Sequence, residues 1–427
     1  MRNRVLLTVL LLVALVAPAS PAAAAPATAE RQLTWLIEVS HRVPAPEAEL
    51  REHLTGEFLA GIGGPEQFNT TLGQFGPLTL REVLDTGPTT IRALAGDLLI
   101  FLGVDETGLV NTVQITPYLP APTSWSELDS RLRTLAPRTS FTASVIDGDD
   151  CRPVHQVGQD TVHPLGSAVK LYILGALGEH IAAGRATWDT ELAIREDWKS
   201  MPSGVLQDEP AGTRLPLRTY ADLMISISDN TATDHLIHYL GRAAVSRQLD
   251  TFGNSVPALN KPLITTREFF ALKGFHYPTL ADTYLSLPKK LRAAMLPAIG
   301  AVPRDRIEGW PEPRNIDEIE YFGTPADMCR ALAGLWRQHT RPGQAPVDTA
   351  LSIQDGGLGL ARNRFPTVWF KGGSEPGVLT MNHLAATADG RVVMTSVMLA
   401  DPDAEIDPAL TFEVLALARG GLRLAAG

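Results

Sequence analysis

One spacing constrains this chain more than any other: Ser167 and Lys170, three residues apart where a polar turn enters an apolar helix. The stretch Val162-His163-Pro164-Leu165-Gly166-Ser167-Ala168-Val169-Lys170-Leu171-Tyr172-Ile173-Leu174 has a Pro and a Gly in the turn. Its apolar run predicts a helix to about Ala183, ahead of Gly184. Residues three apart on a helix share a face, so the hydroxyl and the amine can come within hydrogen-bonding reach. Both would sit at the positive end of a buried element. A lysine among apolar neighbours loses part of the solvation that keeps it protonated, and can act as a base toward a serine.

Alone, Ser-x-x-Lys also describes a helix N-cap serine beside a surface lysine. Two later segments decide between the readings. The first is Ser228-Asp229-Asn230, and the second is Lys371-Gly372-Gly373, directly after Pro366-Thr367-Val368-Trp369-Phe370. That β-branched and aromatic run places Lys371 on or at the end of a strand. The three segments, in this order, are close to the triple motif of the penicillin-recognising serine enzymes.

The chemistry assigns roles. Acyl transfer to serine needs a base, an oxyanion hole, a proton donor for the leaving group and a grip on the substrate. Ser167 is the expected nucleophile and Lys170 its base. Ser228 is suited to relay a proton to the departing atom, since a hydroxyl both accepts and donates. Asn230 can bond the substrate amide or Lys170, while Asp229 ties down its own loop. Lys371 brings a positive charge that helps keep Lys170 neutral and attracts an anionic substrate. The backbone N–H groups of Ser167 and Ser374, with Gly373 beside them, form the expected oxyanion hole. No metal or cofactor is expected.

A chain of 427 residues is long enough for two sizeable cores, and 44% hydrophobic with 20% charged residues is a globular composition. A formal net charge of −10 argues against nucleic acid or an anionic membrane surface as partner. A small-molecule substrate, whether ester, β-lactam or acyl-peptide, is the expected partner. Met1 to Ala29 reads as a secretory signal: Arg2 and Arg4, an apolar run from Val5 to Val16, then small residues through Ala22-Ala23-Ala24-Ala25. The run is too short to span a bilayer comfortably. No cysteine precedes Cys151, so the expectation is an exported protein in the medium or cell envelope, neither lipid-anchored nor stably inserted in a membrane. Export permits a disulfide, yet Cys151 and Cys329 make no framework and a protein of this size needs none. Unpaired thiols are expected.

The fold expected is α+β throughout. Residues 31–138 predict three helices followed by four strands, an antiparallel meander with helices on one curved face. Residues 139–427 predict a hairpin feeding the Ser167 helix, a long helical interval, and two strands paired across Asp389-Gly390 before a last helix. Strands from both ends would then join in one sheet. His235 and His238 are read as helix-surface residues, not ligands.

From about residue 140 onward the chain resembles the class A β-lactamase and penicillin-binding-protein fold. The segment Met224-Ile225-Ser226-Ile227-Ser228-Asp229-Asn230-Thr231-Ala232-Thr233-Asp234 is close to that group's middle motif. The two-domain layout is similar to the Cpe/LpqF type of serine hydrolase, which implies a small steroid-isomerase-like, cone-shaped domain ahead of the β-lactamase-like one. Two departures qualify what the resemblance implies. Gly372 stands where working β-lactamases carry Thr or Ser, leaving Ser374 to supply a hydroxyl. The loop glutamate that activates the deacylating water has Glu312 as its nearest candidate, but a proline occupies the expected position, and an exposed loop carboxylate is the preferred reading. The resemblance therefore implies an esterase-like enzyme or a weak β-lactamase. A true β-lactamase and a binding protein that has lost the reaction are the rivals.

Overall fold

The structure, a computed structural model, describes residues 27–148 and 150–427. The signal-peptide reading therefore falls outside the described residues, except at its last three positions. Ala27–Ala29 lie in the first helix, and Ala29 is completely buried. Two compact units are formed: residues 27–120 with Gly359–Arg364, and Ala121–Leu358 with Phe365–Gly427.

The first unit runs α1 (Ala27–Ser40), α2 (Glu47–His53), α3 (Gly56–Gly61) and α4 (Pro65–Gln74), then β1 (Leu80–Thr86), β2 (Thr90–Ala95), β3 (Leu98–Val104) and β4 (Val110–Pro117). The strands pair in sequence order as an antiparallel meander. Ala29, Leu33, Leu36 and Val39 recur at helical spacing along α1. They meet Ile91, Ala93, Ile100 and Leu102 of the sheet in one buried cluster. Residues 359–364 complete this unit: Arg362 N donates to Leu84 O at 2.9 Å, and the Tyr118 hydroxyl to Gly359 O at 3.0 Å.

The second unit begins with α5 (Trp125–Leu132), β5 (Arg138–Asp147) and β6 (Asp150–Val157). After β7 (His163–Pro164), a 3₁₀ turn at Gly166–Val169 leads into α6 (Lys170–Ala182). A small hairpin of β8 (Glu191–Ala193) and β9 (Arg214–Pro216) precedes the helices α7 (Leu217–Ser226), α8 (Asn230–Leu240), α9 (Arg242–Thr251), α10 (Thr266–Gly274), α11 (Thr279–Ser286) and α12 (Lys289–Gly300). Then come β10 (Phe322–Gly323), which pairs with β7, α13 (Pro325–His339) and α14 (Ala345–Ser352). The chain closes with β11 (Thr367–Glu375), β12 (Val378–Ala386), β13 (Val392–Ala400) and α15 (Leu410–Ala426). The main sheet has the order β11-β12-β13-β5-β6, all antiparallel, so strands from both ends of the unit do meet. Arg138 lies opposite Ala400 and Ile146 opposite Val392.

Helix α6 is the centre of this unit. Its residues Lys170 to Gly178 are all buried, which is why its apolar residues show no single stripe: a helix hydrophobic all round packs on every side. His235, expected on a helix surface, is instead completely buried on α8. Its Nε2 accepts from Arg195 N at 2.9 Å and its Nδ1 lies 2.7 Å from Thr231 O, so backbone groups satisfy both nitrogens of a neutral ring. His238 is exposed and stacks on Trp198.

The two thiols are not free. Cys151 on β6 and Cys329 on α13 form a disulfide with a Cα–Cα distance of 6.1 Å across a sequence separation of 178. The unpaired expectation failed because α13 packs on β5 and β6, a proximity set by tertiary structure and invisible in the spacing. Closing so long a loop restricts the unfolded chain strongly. Replacing both cysteines by alanine is expected to lower unfolding free energy by roughly 2–5 kcal/mol, read as a lower denaturation midpoint under non-reducing conditions.

Candidate active site

Ser167 stands in the 3₁₀ turn, not on α6 itself, and helix α6 begins at Lys170. In a 3₁₀ turn residues three apart eclipse one another, so the shared face survives this shift of the helix start. Gly166 makes the turn possible with φ +50, a backbone region that disfavours side chains with a Cβ. Leu165 N donates to Tyr321 O at 2.7 Å and Gly166 N to Glu320 Oε2 at 3.2 Å. Ser167 is half-buried beside Ala168 and Val169, which are fully buried.

Lys170 has no exposed surface. Its Nζ lies 2.6 Å from Ser228 O, 2.8 Å from Asn230 Oδ1 and 3.0 Å from Ser228 Oγ. An ammonium donates to all three. A neutral amine can donate to the two carbonyl oxygens and turn its lone pair to the Ser228 hydroxyl. Burial first, and then the charge of Lys371, push Lys170 well below the ordinary lysine range, so the site works against its charged form. The amine makes no hydrogen bond to Ser167; its partners are Ser228 and Asn230. Such contacts often tighten only when substrate binds.

Ser228 adopts φ +58, a left-handed conformation unusual for a residue other than glycine. Its neighbours hold it there. The Asp229 carboxylate accepts from Val205 N at 2.7 Å, Leu206 N at 2.9 Å and Ala232 N at 2.7 Å, which caps α8 and pins the preceding loop. Ser203 Oγ donates to Ser228 O at 2.8 Å, and Asn230 N to Ser203 O at 2.9 Å. This loop approaches Asp229 so closely that a Cβ at Gly204 would lie 2.3 Å from its carboxyl carbon.

Lys371 is 3% exposed and sits within β11. Its Nζ donates to Ser228 Oγ at 3.0 Å and to Gly372 O at 2.8 Å. Burial pushes it down to about 7. The strand is braced from β12: Asn382 Nδ2 donates to Lys371 O at 3.0 Å, and Ser396 Oγ to Asn382 Oδ1 at 2.7 Å. Two residues on, Gly373 faces the Ser167 turn. A Cβ there would lie 2.1 Å from Leu165 O and 2.6 Å from Ser167 N, and one at Gly166 would lie 3.0 Å from Ser374 N. The turn and the strand are therefore in backbone contact. Ser374 is exposed at this edge. Gly372, where a hydroxyl residue was missing from the motif, has the Phe370 ring in its place: a Cβ would lie 2.9 Å from Phe370 Cζ.

Lys170, Ser228, Asn230 and Lys371 thus form one hydrogen-bonded chain, and the backbone of the Ser167 turn meets Gly373 and Ser374 on the strand that carries Lys371. Glu312 does not join them; it is exposed and makes no hydrogen bond to the site. Among the described residues no carboxylate hydrogen-bonds to Lys170. Three groups beside the turn went unread in the sequence: Glu320, Glu375 and Lys273. They come from a loop, a strand end and a helix, with no local pattern to connect them.

This arrangement of sheet, buried helix and turn is the fold of the β-lactamase and penicillin-binding-protein superfamily of serine hydrolases. The chain belongs to the beta-lactamase enzyme family, whose sequence profile matches residues 136–404. Among solved structures it is similar to a beta-lactamase from Sphaerobacter thermophilus DSM 20745, at 20% identity, covering 71% of this chain and 97% of that one, with TM-score 0.50. It is also similar to a mutant of the class A beta-lactamase of the last common ancestor of Gram-negative bacteria, at 16% identity, covering 70% and 97%, with TM-score 0.50. At such identities the likeness is one of fold. No curated protein sequence matches the chain.

Proposed function

We propose that the protein is an exported serine hydrolase that forms an acyl-enzyme at Ser167 and acts as an esterase or a weak β-lactamase. The observation that carries this reading is the Ser228 hydroxyl standing 3.0 Å from each of two buried amines, Lys170 and Lys371. Lys170, kept neutral by burial, takes the Ser167 proton as the oxygen attacks the substrate carbonyl. The developing oxyanion is received by the N–H groups of Ser167 and Ser374. Ser228 passes a proton to the leaving atom, drawing on either amine. Asn230 and Lys371 hold the substrate, the latter favouring an anionic one.

Slow release is the other half of the proposal. Lys170 has a serine and an asparagine as partners, no carboxylate lies in hydrogen-bonding reach of it among the described residues, and Glu312 is exposed. Water attacking the acyl-enzyme then lacks a strong base, which is the state of an acyl-accumulating protein rather than of a resistance enzyme. Export is supported by the amino-terminal sequence and by a disulfide, which persists in oxidising compartments. The helices-then-meander order of the first unit supports a steroid-isomerase-like cone and, with it, the Cpe/LpqF type of two-domain hydrolase.

Intact mass after exposure to a penicillin and to an activated ester tests the reading. The expected result is one stoichiometric adduct, mapped to the peptide carrying Ser167 and persisting for minutes or longer. No adduct with any acyl donor would support a binding protein instead. Rapid turnover of a chromogenic cephalosporin would overturn slow release.

A further inference from the structure

Behind the Ser167 turn lies a buried group of three charges that acyl transfer as described does not use. Lys273 on α10 is wholly buried, and its Nζ donates to Glu375 Oε1 at 2.6 Å while lying 4.4 Å from the centre of the Phe269 ring. The Glu375 side chain, at the end of β11, is 6% exposed. Glu320, on the loop ahead of β10, is 4% exposed and accepts from Gly166 N at 3.2 Å and from Tyr321 N through one oxygen, Oε2. Glu320 Oε1 and Glu375 Oε2 are buried without a donor from any other group. Glu320 holds Gly166, Glu375 follows Ser374, and a Cβ at Gly166 would lie 3.0 Å from Ser374 N, so the two carboxyl-bearing residues flank one backbone contact.

Two carboxylates and one ammonium in a dry site leave an uncompensated negative charge, which is strongly unfavourable. A single proton held between the carboxyl groups removes it and satisfies both orphaned oxygens, as in other paired carboxyls. The placement of the pair gives that proton a consequence. Glu320 grips the residue immediately before Ser167, and Glu375 is the residue immediately after Ser374. We propose that Glu320, Glu375 and Lys273 form a positioning cluster for the oxyanion hole, in which one proton shared by the carboxyl groups holds the Gly166 turn against the end of β11 and so sets the alkaline limit of acylation. The inference rests on Ser167 being the acylated residue. None of the three touches the reacting atoms; they act through the two backbone donors.

The groups facing the pair from other elements are few. Lys273 lies on the α10 side, and Arg314 donates to Lys273 O at 2.6 Å without reaching the carboxyls. Glu320 also lines a cavity of about 270 Å³ whose wall carries Lys261, Tyr284, Lys289, Arg292, Asp317 and Glu318. Desolvation, and then the Glu375 charge, push Glu320 up to about 8. The folded protein therefore binds a proton that the unfolded chain releases in the ordinary carboxylate range. Stability must fall as pH rises from that range through about 8.

Two measurements on the full chain test this. In the first, acylation by p-nitrophenyl acetate is followed from pH 6 to 10 in the wild type, Glu320→Ala and Glu320→Gln. Glu320→Ala is expected to lower kcat about tenfold to a hundredfold, less than outright loss of an oxyanion donor, with KM little changed. Glu320→Gln reproduces the protonated carboxyl, since its carbonyl accepts from Gly166 N and its amide donates to Glu375. It is expected to rescue most of that rate and to lose the fall near pH 8 that the shared proton imposes. Equal loss in both variants, or an alkaline limb unchanged in Glu320→Gln, would overturn the proposal. In the second, the melting temperatures of wild type and Glu320→Gln are compared from pH 5 to 9. The difference should shift against the wild type as pH rises, and parallel curves would overturn the shared proton. A wild type that the ester does not acylate would overturn the reading of Ser167 and with it the alkaline limit. The melting comparison would then still report the proton.

Discussion

A Lys170→Ala protein is expected to acylate Ser167 about 10²–10⁴ times more slowly than the wild type, the range over which a positioned base contributes. The loss should appear in the acylation step, followed as the burst of chromophore from an activated ester. The argument is electrostatic. With no exposed surface and the Lys371 charge nearby, the Lys170 ammonium is disfavoured against the free amine, despite the opposing charges of Asp229 and Asp234. The pH profile follows with a definite sign. In the wild type, the rate rises as Lys170 gives up its proton. With an anionic substrate a second loss is added to the alkaline limit set by Glu320 and Glu375, as Lys371, pushed down to about 7 by burial, gives up the charge that holds that substrate. The variant keeps the falling limb and loses the rising one. Removing the amine also takes the Lys170 donor from Asn230 Oδ1 and leaves Ser228 O with Ser203 Oγ, so a thermal melt must accompany the kinetics. A variant with wild-type acylation would leave the base unassigned, and Lys371 acting through Ser228 would become the candidate.

The second large effect concerns a residue without a side chain. Gly373→Ala is expected to reduce acylation by about 10²–10³, the effect of losing one oxyanion donor. The added methyl would lie 2.1 Å from Leu165 O, 2.6 Å from Ser167 N and 2.9 Å from Ala168 N. All three are backbone atoms, so no flexible side chain can swing away. Either β11 or the Ser167 turn must retreat, and each carries one of the two N–H donors. Overpacking of this kind typically costs about 1–3 kcal/mol in stability, small enough for the protein to fold and be assayed. A folded Gly373→Ala protein with unimpaired acylation would show that the oxyanion is bound elsewhere.

What the sequence made legible, and what it hid, divides along a physical line. Ser167, Lys170, Ser228, Asn230 and Lys371 stand in short local patterns, each fixed by what a turn, a cap or a strand requires of adjacent residues. The strands Val378–Ala386 and Val392–Ala400 were readable for the same reason, as two runs joined by an Asp389-Gly390 turn. Contacts between distant segments were not. The Cys151–Cys329 bond joins positions 178 apart, and Lys273 meets Glu375 from a helix and a strand that share no motif. His235 looked like a surface histidine because the segment that covers it, Arg195 to Trp198, lies far from it in sequence. Ser167 was read at the mouth of the helix, and the 3₁₀ form of that turn went unseen because it and a first α-helical turn place residues three apart on nearly the same face.

The pairing of β13 with β5 has a consequence for how the protein comes into being. Strand β5 leaves the ribosome long before its neighbour, since Arg138 waits for Ala400, and Lys371 arrives only shortly before that partner. On the proposed reading, Ser167 is thus translated early and waits for Lys371 until nearly the whole polypeptide has emerged. A prematurely terminated product would carry Ser167 without the strand that bears Lys371, Gly373 and Ser374, and so, on that reading, would be inert toward any acyl donor it met.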